Sequence, residues 1–493
     1  MVLKIPGQVI GRRPEWERLT EFATSGRPEA TLGIVWGRRR VGKSFLLSAL
    51  ADQTGGFYYG AVRGSSAEAL RDLGEQLGRW QGAAAPLALD SWDEAIRALL
   101  RLGADRERVV VLDEYPYLLE HTPELDSLIQ RAFGPGGVAR EGSRTRLILC
   151  GSAISVMSQI LAGSSPLRGR AGLDLRVSPF DLRGARALHG IEDLRTAFRT
   201  WAVIGGMAAY AREMTASELP SGPRTFDRWV CRWVLSPSAP LFNEIPLLLS
   251  EDPATAKARK LNLYHATLAG IATGHHAHGK LTRYVKIGGA SLTPIVEALV
   301  AAELVNRVED PLRDNRPTYH PRDSLIRFHY AILRQNAARL TRHGADVTGI
   351  WRSLRPTFDS QVIGPAFEAS ARDWVVHHGP EELGGAGSAQ VGPSTLTLPD
   401  GREHEIDVVV AGDADESPGD RRVHALGESK AGERITERHL QRLEEIRGAL
   451  RDRGEGARLL LFGSRFSAAV LRAAESRADL EVIDLERLYG VGG

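Results

Sequence analysis

Eight residues near the start of the chain, Gly37-Arg38-Arg39-Arg40-Val41-Gly42-Lys43-Ser44, carry its most specific chemical pattern. Glycines at both ends of such a run let backbone N–H groups turn inward on an anion. A helix opening at Lys43 adds its positive end. Lys43 then bridges the β- and γ-phosphates of a nucleotide, and the Ser44 hydroxyl ligates Mg²⁺. Arg40, Val41 and Phe45 complete the candidate cradle. Arg38, Arg39 and Arg40 also occupy the variable stretch of the loop, where they are expected to face solvent or a partner.

A carboxylate pair follows downstream. Val109-Val-Val-Leu112 is an apolar strand ending in Asp113-Glu114. Asp113 is placed to hold Mg²⁺ through water, and Glu114 to polarise the attacking water as a general base. Leu147-Ile-Leu-Cys150 is a third such strand, and Ser152 after it is a candidate polar sensor of the γ-phosphate. Arg168 and Arg170 are arginine-finger candidates, since an Arg on a transferring phosphoryl group is worth ~10³–10⁵ in rate.

A second constellation lies near the other end. Glu405-Ile-Asp407-Val-Val-Val410 and Val423-His-Ala-Leu-Gly-Glu428-Ser-Lys430 read as strands. Side chains alternate along a strand, so Glu428 and Lys430 share a face. Pairing of the two strands brings Asp407 to them. Carboxylates that hold Mg²⁺ beside a lysine that orients water make a phosphodiesterase site. Gln441, on the following helix, is a weaker candidate.

These residues need elements to hold them. From 1 to 180, short apolar strands at Thr31–Trp36, Val109–Leu112 and Leu147–Cys150 alternate with helices, such as Val41–Ala51, which predicts a parallel α/β sheet. Residues 181–245 read as a mainly helical lid anchored by Trp201, Trp229 and Trp233. Residues 246–330 run as helices (Ala254–Ala272, Leu281–Ile287, Ser291–Val305) and then a hairpin over Arg307–Tyr319, the order of a winged helix-turn-helix. Residues 331–493 combine an Arg-rich helical connection ending near Pro356 with a second α/β unit. Its strands are Glu405–Ala411, Val423–Ser429, Leu459–Phe462 and Leu480–Ile483, with a helix over Thr436–Leu450. Gly379–Gly401 reads as loop or short strands, and Asp413–Asp420 as a polar hairpin tip.

The bulk numbers narrow the class. A chain of 493 residues, 43% apolar and 25% charged, is an ordinary multidomain globular protein. A net charge of +2 supplies no whole-molecule field for nucleic acid or membrane, so such binding must come from local patches. Only seven lysines occur, which makes Lys43 and Lys430 conspicuous. Two cysteines and no zinc spacing suit a reducing compartment. With neither a signal peptide nor a bilayer-length apolar run, the expectation is a soluble, cytoplasmic protein without a membrane partner. The helix from Ser291 to Ala302 is poor in base-reading side chains. Lys280, Arg283 and Lys286 beside it suit phosphate contacts, so the winged helix is open to DNA or to a protein partner. His275, His276 and His278 read as a solvated turn.

Together these motifs resemble the archaeal and bacterial AAA-like, STAND-related ATPases with a C-terminal restriction-endonuclease-like domain, the DEXX-box group. The matching segments are Ile10-Gly11-Arg12-Arg13-Pro14-Glu15, Gly37–Ser44, Leu112-Asp113-Glu114, Gly151-Ser152, and Ser165–Arg170 followed by Ser178-Pro179-Phe180. The family's Gly-Gly-x-Pro-x-Tyr run stands here as Gly205-Gly206-Met207-Ala208-Ala209-Tyr210, without the proline. The resemblance implies that Gly11 and Arg12 lie near the adenine. It also implies a C-terminal PD-(D/E)xK nuclease-like core in which Glu368 joins Asp407 and Glu428 as a metal ligand. It implies an ATP-hydrolysing switch using Mg²⁺, coupled to a DNA-binding, nuclease-like domain, with homo-oligomer or protein partners open. The competing reading is a non-nucleolytic signalling ATPase, or a transcriptional regulator, whose C-terminal domain is a degenerate interaction module.

Overall fold

The computed structural model describes residues 3–163, 165–251, 261–379, 389–398, 401–413, 417 and 419–491. The start of the helix expected from Ala254, part of the Gly379–Gly401 segment and part of the Asp413–Asp420 tip lie outside the described residues. Two compact units emerge, one of Met1–Pro179 with Met207–Ala209, the other of Phe180–Gly206 with Tyr210–Gly493.

The first unit is built on five parallel strands: β1 (Thr31–Trp36), β2 (Phe57–Gly60), β3 (Arg108–Asp113), β4 (Thr145–Gly151) and β5 (Ala171–Arg176). Their order across the sheet is β2-β3-β4-β1-β5. Val110, Val111, Ile148 and Leu149 are fully buried because helices cover both faces of the sheet. Each such side chain contributes roughly 1.5–3 kcal/mol. Helices α1 (Arg13–Ala23) and α2 (Lys43–Thr54) flank β1. The second helix starts two residues later than its apolar pattern suggests. Gly42 has φ 96°, a left-handed conformation that keeps the turn going to Lys43.

The second unit begins with helices Leu182–His189 and Leu194–Ile204, whose first turns are capped by the Asp181 and Asp193 carboxylates. Trp229 is buried as expected, whereas Trp201 and Trp233 are only partly covered. After a helix over Leu261–Ala272 come α3 (His278–Val285) and α4 (Gly289–Ala301), bent from each other by 108°. Strands β6 (Val305–Val308) and β7 (Thr318–Pro321) then pair antiparallel.

The helical connection does not stop at Pro356. That proline sits inside the helix Val347–Phe358, and a wider turn over Asp359–Ile363 carries the chain on into α5 (Gly364–His378). The final sheet comprises β8 (Ala389–Thr397), β9 (Glu403–Asp413), β10 (Val423–Lys430), β11 (Arg458–Gly463) and β12 (Leu480–Ile483), with α6 (Glu437–Ala449) between β10 and β11. Its order is β12-β11-β10-β9-β8. β9 runs antiparallel to β8 and β10, while β10, β11 and β12 are parallel. Among the described residues no single helix is long and apolar enough to cross a membrane.

Candidate functional site

In the first unit the loop after β1 forms the expected cradle. Gly37 has φ 151°, and a Cβ there would meet the Val177 carbonyl oxygen at 2.1 Å, so glycine is obligatory. Lys43, 5% exposed, donates to the carbonyl oxygens of Gly37 (2.8 Å) and Arg38 (3.0 Å) and so spans the loop's mouth. Arg12 reaches the same loop: it donates to the Val41 carbonyl at 3.1 Å and pairs with Glu15 at 2.7 Å. Burial lowers its pKa, and Glu15 counteracts that. Gly11, with φ 69°, turns the chain into this contact. Phe45, half exposed, stands one residue past Ser44. Of the three loop arginines expected to face outward, Arg38 is buried and Arg39 and Arg40 are partly covered, because the loop folds down onto Lys43. Met207–Ala209 lies against the loop too, with the Ala209 N–H on the Arg40 carbonyl at 3.0 Å.

Asp113 ends β3 at 3% exposure. Burial alone pushes its pKa up. Hydrogen bonding from Cys150, Ser44, Tyr58 and the Glu114 N–H outweighs that and holds it below the ordinary carboxylate range. The Tyr58 hydroxyl donates at 2.5 Å and the Glu114 N–H at 2.8 Å. A carboxylate kept ionised beside a serine hydroxyl fits a hard divalent cation that takes its other oxygens from phosphate and water. Tyr58 and Cys150 were not legible as site residues. Tyr58 sits on β2, a strand of only four residues, and the Cys150 thiol looks like core in an apolar run. Burial pushes the Tyr58 phenol up, as does Asp113, and the Cys150 thiol is raised for the same two reasons.

Glu114 adopts φ 51°, a left-handed backbone that turns its side chain off the strand line. There the Ser152 hydroxyl donates to it, at 2.8 Å to Oε2 and 3.0 Å to Oε1. Ser152 therefore orients the candidate base. Arg168 and Arg170 are exposed and are not brought to the cradle. Arg170 precedes Ala171, which pairs with Leu32 near the beginning of β1. The cradle follows the other end, about 17 Å along the strand at ~3.3 Å per residue. Neither arginine reaches the loop after β1 from that end of the strands.

In the second unit, Gly427 lies opposite Val408, so Asp407 and Glu428 are neighbours across β9 and β10. Lys430 lies 2.7 Å from Glu428 and 3.7 Å from Asp407. The Asp407 carboxylate also accepts from the Ser429 N–H at 2.8 Å. Burial, then Glu368 and Glu428, push Asp407 up to about 7. Burial raises Glu368 as well, against the pull of Arg372 and Arg327. Burial would lower Lys430, but Asp407 and Glu428 outweigh it and raise its pKa. Helix α5 is tied to the strands by Arg372, which donates to the Asp407 carbonyl at 2.8 Å.

Two expectations need correcting here. Gln441 is exposed, and its neighbour Arg442, about 100° further round the helix, turns to the site instead. Arg442 donates to both Glu428 oxygens, at 3.0 and 3.2 Å, and to the Glu405 carbonyl. Among the described residues no group of three or more His, Cys, Asp or Glu side chains is disposed to hold a metal ion. The excess negative charge at Asp407 and Glu368 suits a cation, yet Glu428, 1% exposed, is already taken by Lys430 and Arg442. Glu368, Asp407 and Glu428 therefore do not form a ready ligand set.

The His-rich turn is only partly open to solvent, because each ring has a neighbour. His275 packs on Tyr284 with ring centroids at 4.5 Å, His276 on His320 at 4.2 Å, and His278 reaches Thr293 at 3.2 Å. On α4, Ser291, Thr293 and Glu297 are exposed, and Lys280, Arg283 and Lys286 are exposed on and just after α3.

No protein-family profile matches the chain. Among curated proteins it is similar to Uncharacterized protein MJECL04 of Methanocaldococcus jannaschii, 22% identical over 377 residues, or 74% of this chain and 77% of that one. Among solved structures it is similar to the Walker-type ATPase PABY2304 of Pyrococcus abyssi, with 21% identity, a TM-score of 0.47, and coverage of 67% of this chain and 99% of that one. The ORC2 protein of Aeropyrum pernix, in its ADPNP–ADP complexes, is similar at 16% identity and a TM-score of 0.42, over 72% of this chain and 97% of that one. At such distances the chemistry of the site rests on its own geometry.

Proposed function

We propose that the chain is an ATP-binding and ATP-hydrolysing switch whose nucleotide state governs a nucleic-acid-binding second unit. The observation that carries this reading is Lys43 buried across the mouth of a glycine-bounded loop, with Asp113 held ionised beside Ser44. In this reading Lys43 and the loop N–H groups grip the phosphates, and Phe45, Gly11 and Arg12 lie toward the base. Ser44 and Asp113 would hold Mg²⁺, which would supply positive charge against the phosphates. Glu114, fixed by Ser152, takes the proton of the attacking water. Arg168 and Arg170 act only on a neighbouring copy's nucleotide, so their use requires a homo-oligomer.

In the second unit, α3, α4, β6 and β7 follow the order of a winged helix. Its exposed Lys280, Arg283 and Lys286 suit phosphate contacts on DNA. The C-terminal sheet reads as a PD-(D/E)xK-like domain built around Asp407, Glu428 and Lys430. A second reading, a non-nucleolytic interaction module, is favoured by Arg442, which occupies both oxygens of Glu428.

ATP turnover of wild type and Lys43→Ala, each with and without DNA, tests the coupling. The expected result is DNA-stimulated turnover that Lys43→Ala abolishes; turnover indifferent to DNA removes the nucleic-acid arm. Mg²⁺-dependent cleavage of plasmid that is lost in Glu428→Ala and Lys430→Ala selects the nuclease. No cleavage by wild type selects the interaction module.

A further inference from the structure

The second unit contains a cavity of about 220 Å³ whose walls include Thr273, His276, Arg327, Ser360, Gln361 and Pro365. Arg327 dominates its chemistry. It is 6% exposed, and its Nη1 has no hydrogen-bond partner among the described residues. Leaving a buried donor unpaired costs ~1–3 kcal/mol, and more when the group is charged. Burial lowers the guanidinium to about 10, with Glu368 opposing and Arg372 adding to the fall, so the group still carries its charge near neutral pH. No carboxylate lines the cavity.

The other polar walls are unequal. The Thr273 hydroxyl is spent on the Ala269 carbonyl and the Ser360 hydroxyl on the Pro356 carbonyl, each four residues back along the chain. Gln361, partly exposed, also lines the cavity. His276, held neutral mainly by burial and then by Arg327, retains one ring N–H. A planar guanidinium with an amide and an imidazole donor, and no acid, is the donor set of an oxyanion site. The space is many times the ~10–15 Å³ that a single water needs, which leaves room for a phosphate group.

We propose that this cavity is a phosphate-group site, in which the buried Arg327 guanidinium receives a tetrahedral phosphate oxyanion with Gln361 and His276 donating beside it. The phosphate is either free inorganic phosphate or the end of a nucleic-acid strand. The site does not depend on the C-terminal domain being nucleolytic. Glu368 lies one turn beyond Pro365 on α5 and is the carboxylate whose field reaches Arg327, so a bound phosphate would compete with it for the same cation.

The test uses the full chain with a saturating non-hydrolysable ATP analogue and Mg²⁺, so that the γ-phosphate position of the loop is filled and free phosphate does not enter it. Inorganic phosphate is titrated by calorimetry into wild type, Arg327→Gln and Gln361→Leu. Wild type is expected to take up one phosphate per chain, weakened at least tenfold by Arg327→Gln and severalfold by Gln361→Leu. Should Arg327→Gln fail to fold, Gln361→Leu at the partly exposed wall decides, with its thermal melt as the control. Loss in either folded variant supports the site. No uptake by wild type up to ~10 mM, or uptake unchanged in the folded variants, overturns it. A 5′-phosphorylated oligonucleotide binding tighter than its 5′-hydroxyl form, with the difference lost in the variants, assigns the phosphate to a strand end. Equal binding of the two assigns the site to free phosphate.

Discussion

Asp113 in the first unit and Asp407 in the second are both acids on sheet strands largely removed from water, and burial pushes both toward the neutral form. Their neighbours then divide them. Asp113 is surrounded by donors, Tyr58, Ser44, Cys150 and the Glu114 N–H, and ends up more acidic than usual. Asp407 is surrounded by two further carboxylates, Glu368 and Glu428, and is held at about 7 despite Lys430. Burial sets the size of the stakes in both places, and the donor-to-acceptor balance sets the sign. The first arrangement balances its carboxylate with donors of its own. The second satisfies Glu428 with Lys430 and Arg442 and leaves charge uncompensated around Asp407.

The largest effect should separate the two regions in catalysis. Glu114→Gln is expected to slow ATP turnover by ~10²–10⁴, the usual contribution of a positioned base, while Lys430→Ala leaves turnover within about twofold. Comparable losses in both would erase the distinction. Next comes the clasp in the second unit. Arg442→Ala removes two bonds from a carboxylate that is 1% exposed and should cost on the order of 2–3 kcal/mol in chemical denaturation. A negligible change would mean that Lys430 alone satisfies Glu428.

Stability as a function of pH sharpens the comparison further. Asp407 is raised on folding, so the native state binds its proton more tightly, and stability falls as pH climbs from the ordinary carboxylate range through about 7. Asp407→Asn should therefore stabilise the chain by on the order of 1–3 kcal/mol at pH 8 and by almost nothing at pH 4. Asp113 is depressed, so its contribution is present above the ordinary carboxylate pKa and disappears as pH falls through its folded value. Tyr58→Phe, which removes one donor, should cost about 1 kcal/mol at pH 7 and less at pH 3. Thermal melts across pH that slope the same way for both variants would contradict the assignment. The smallest effect is expected from Ser152→Ala, a severalfold loss of turnover with ATP affinity unchanged, since the hydroxyl only aims Glu114.

Much of this was legible because the informative residues sit on strongly patterned elements. The runs ending at Trp36, Asp113 and Gly151 are apolar on both faces, and alternation along β10 put Glu428 and Lys430 together before any pairing was known. What stayed hidden depended on tertiary placement. Tyr58 on a four-residue strand, Arg442 in place of Gln441, and Arg170 at the wrong edge of the sheet all have ordinary local sequence. Pro356 misled for a different reason: proline usually ends a helix, but here the chain widens its next turn and continues. The buried Arg327 has no local signature either, since its single-residue context is a short helix among many arginines.

The measurement that bears most directly on the account is calorimetric titration of Mg–ATP into wild type, Lys43→Ala and Glu114→Gln. Wild type and Glu114→Gln are expected to bind one nucleotide per chain with similar affinity, and Lys43→Ala to bind at least tenfold more weakly. Absence of binding by wild type, or equal affinity in Lys43→Ala, would contradict it.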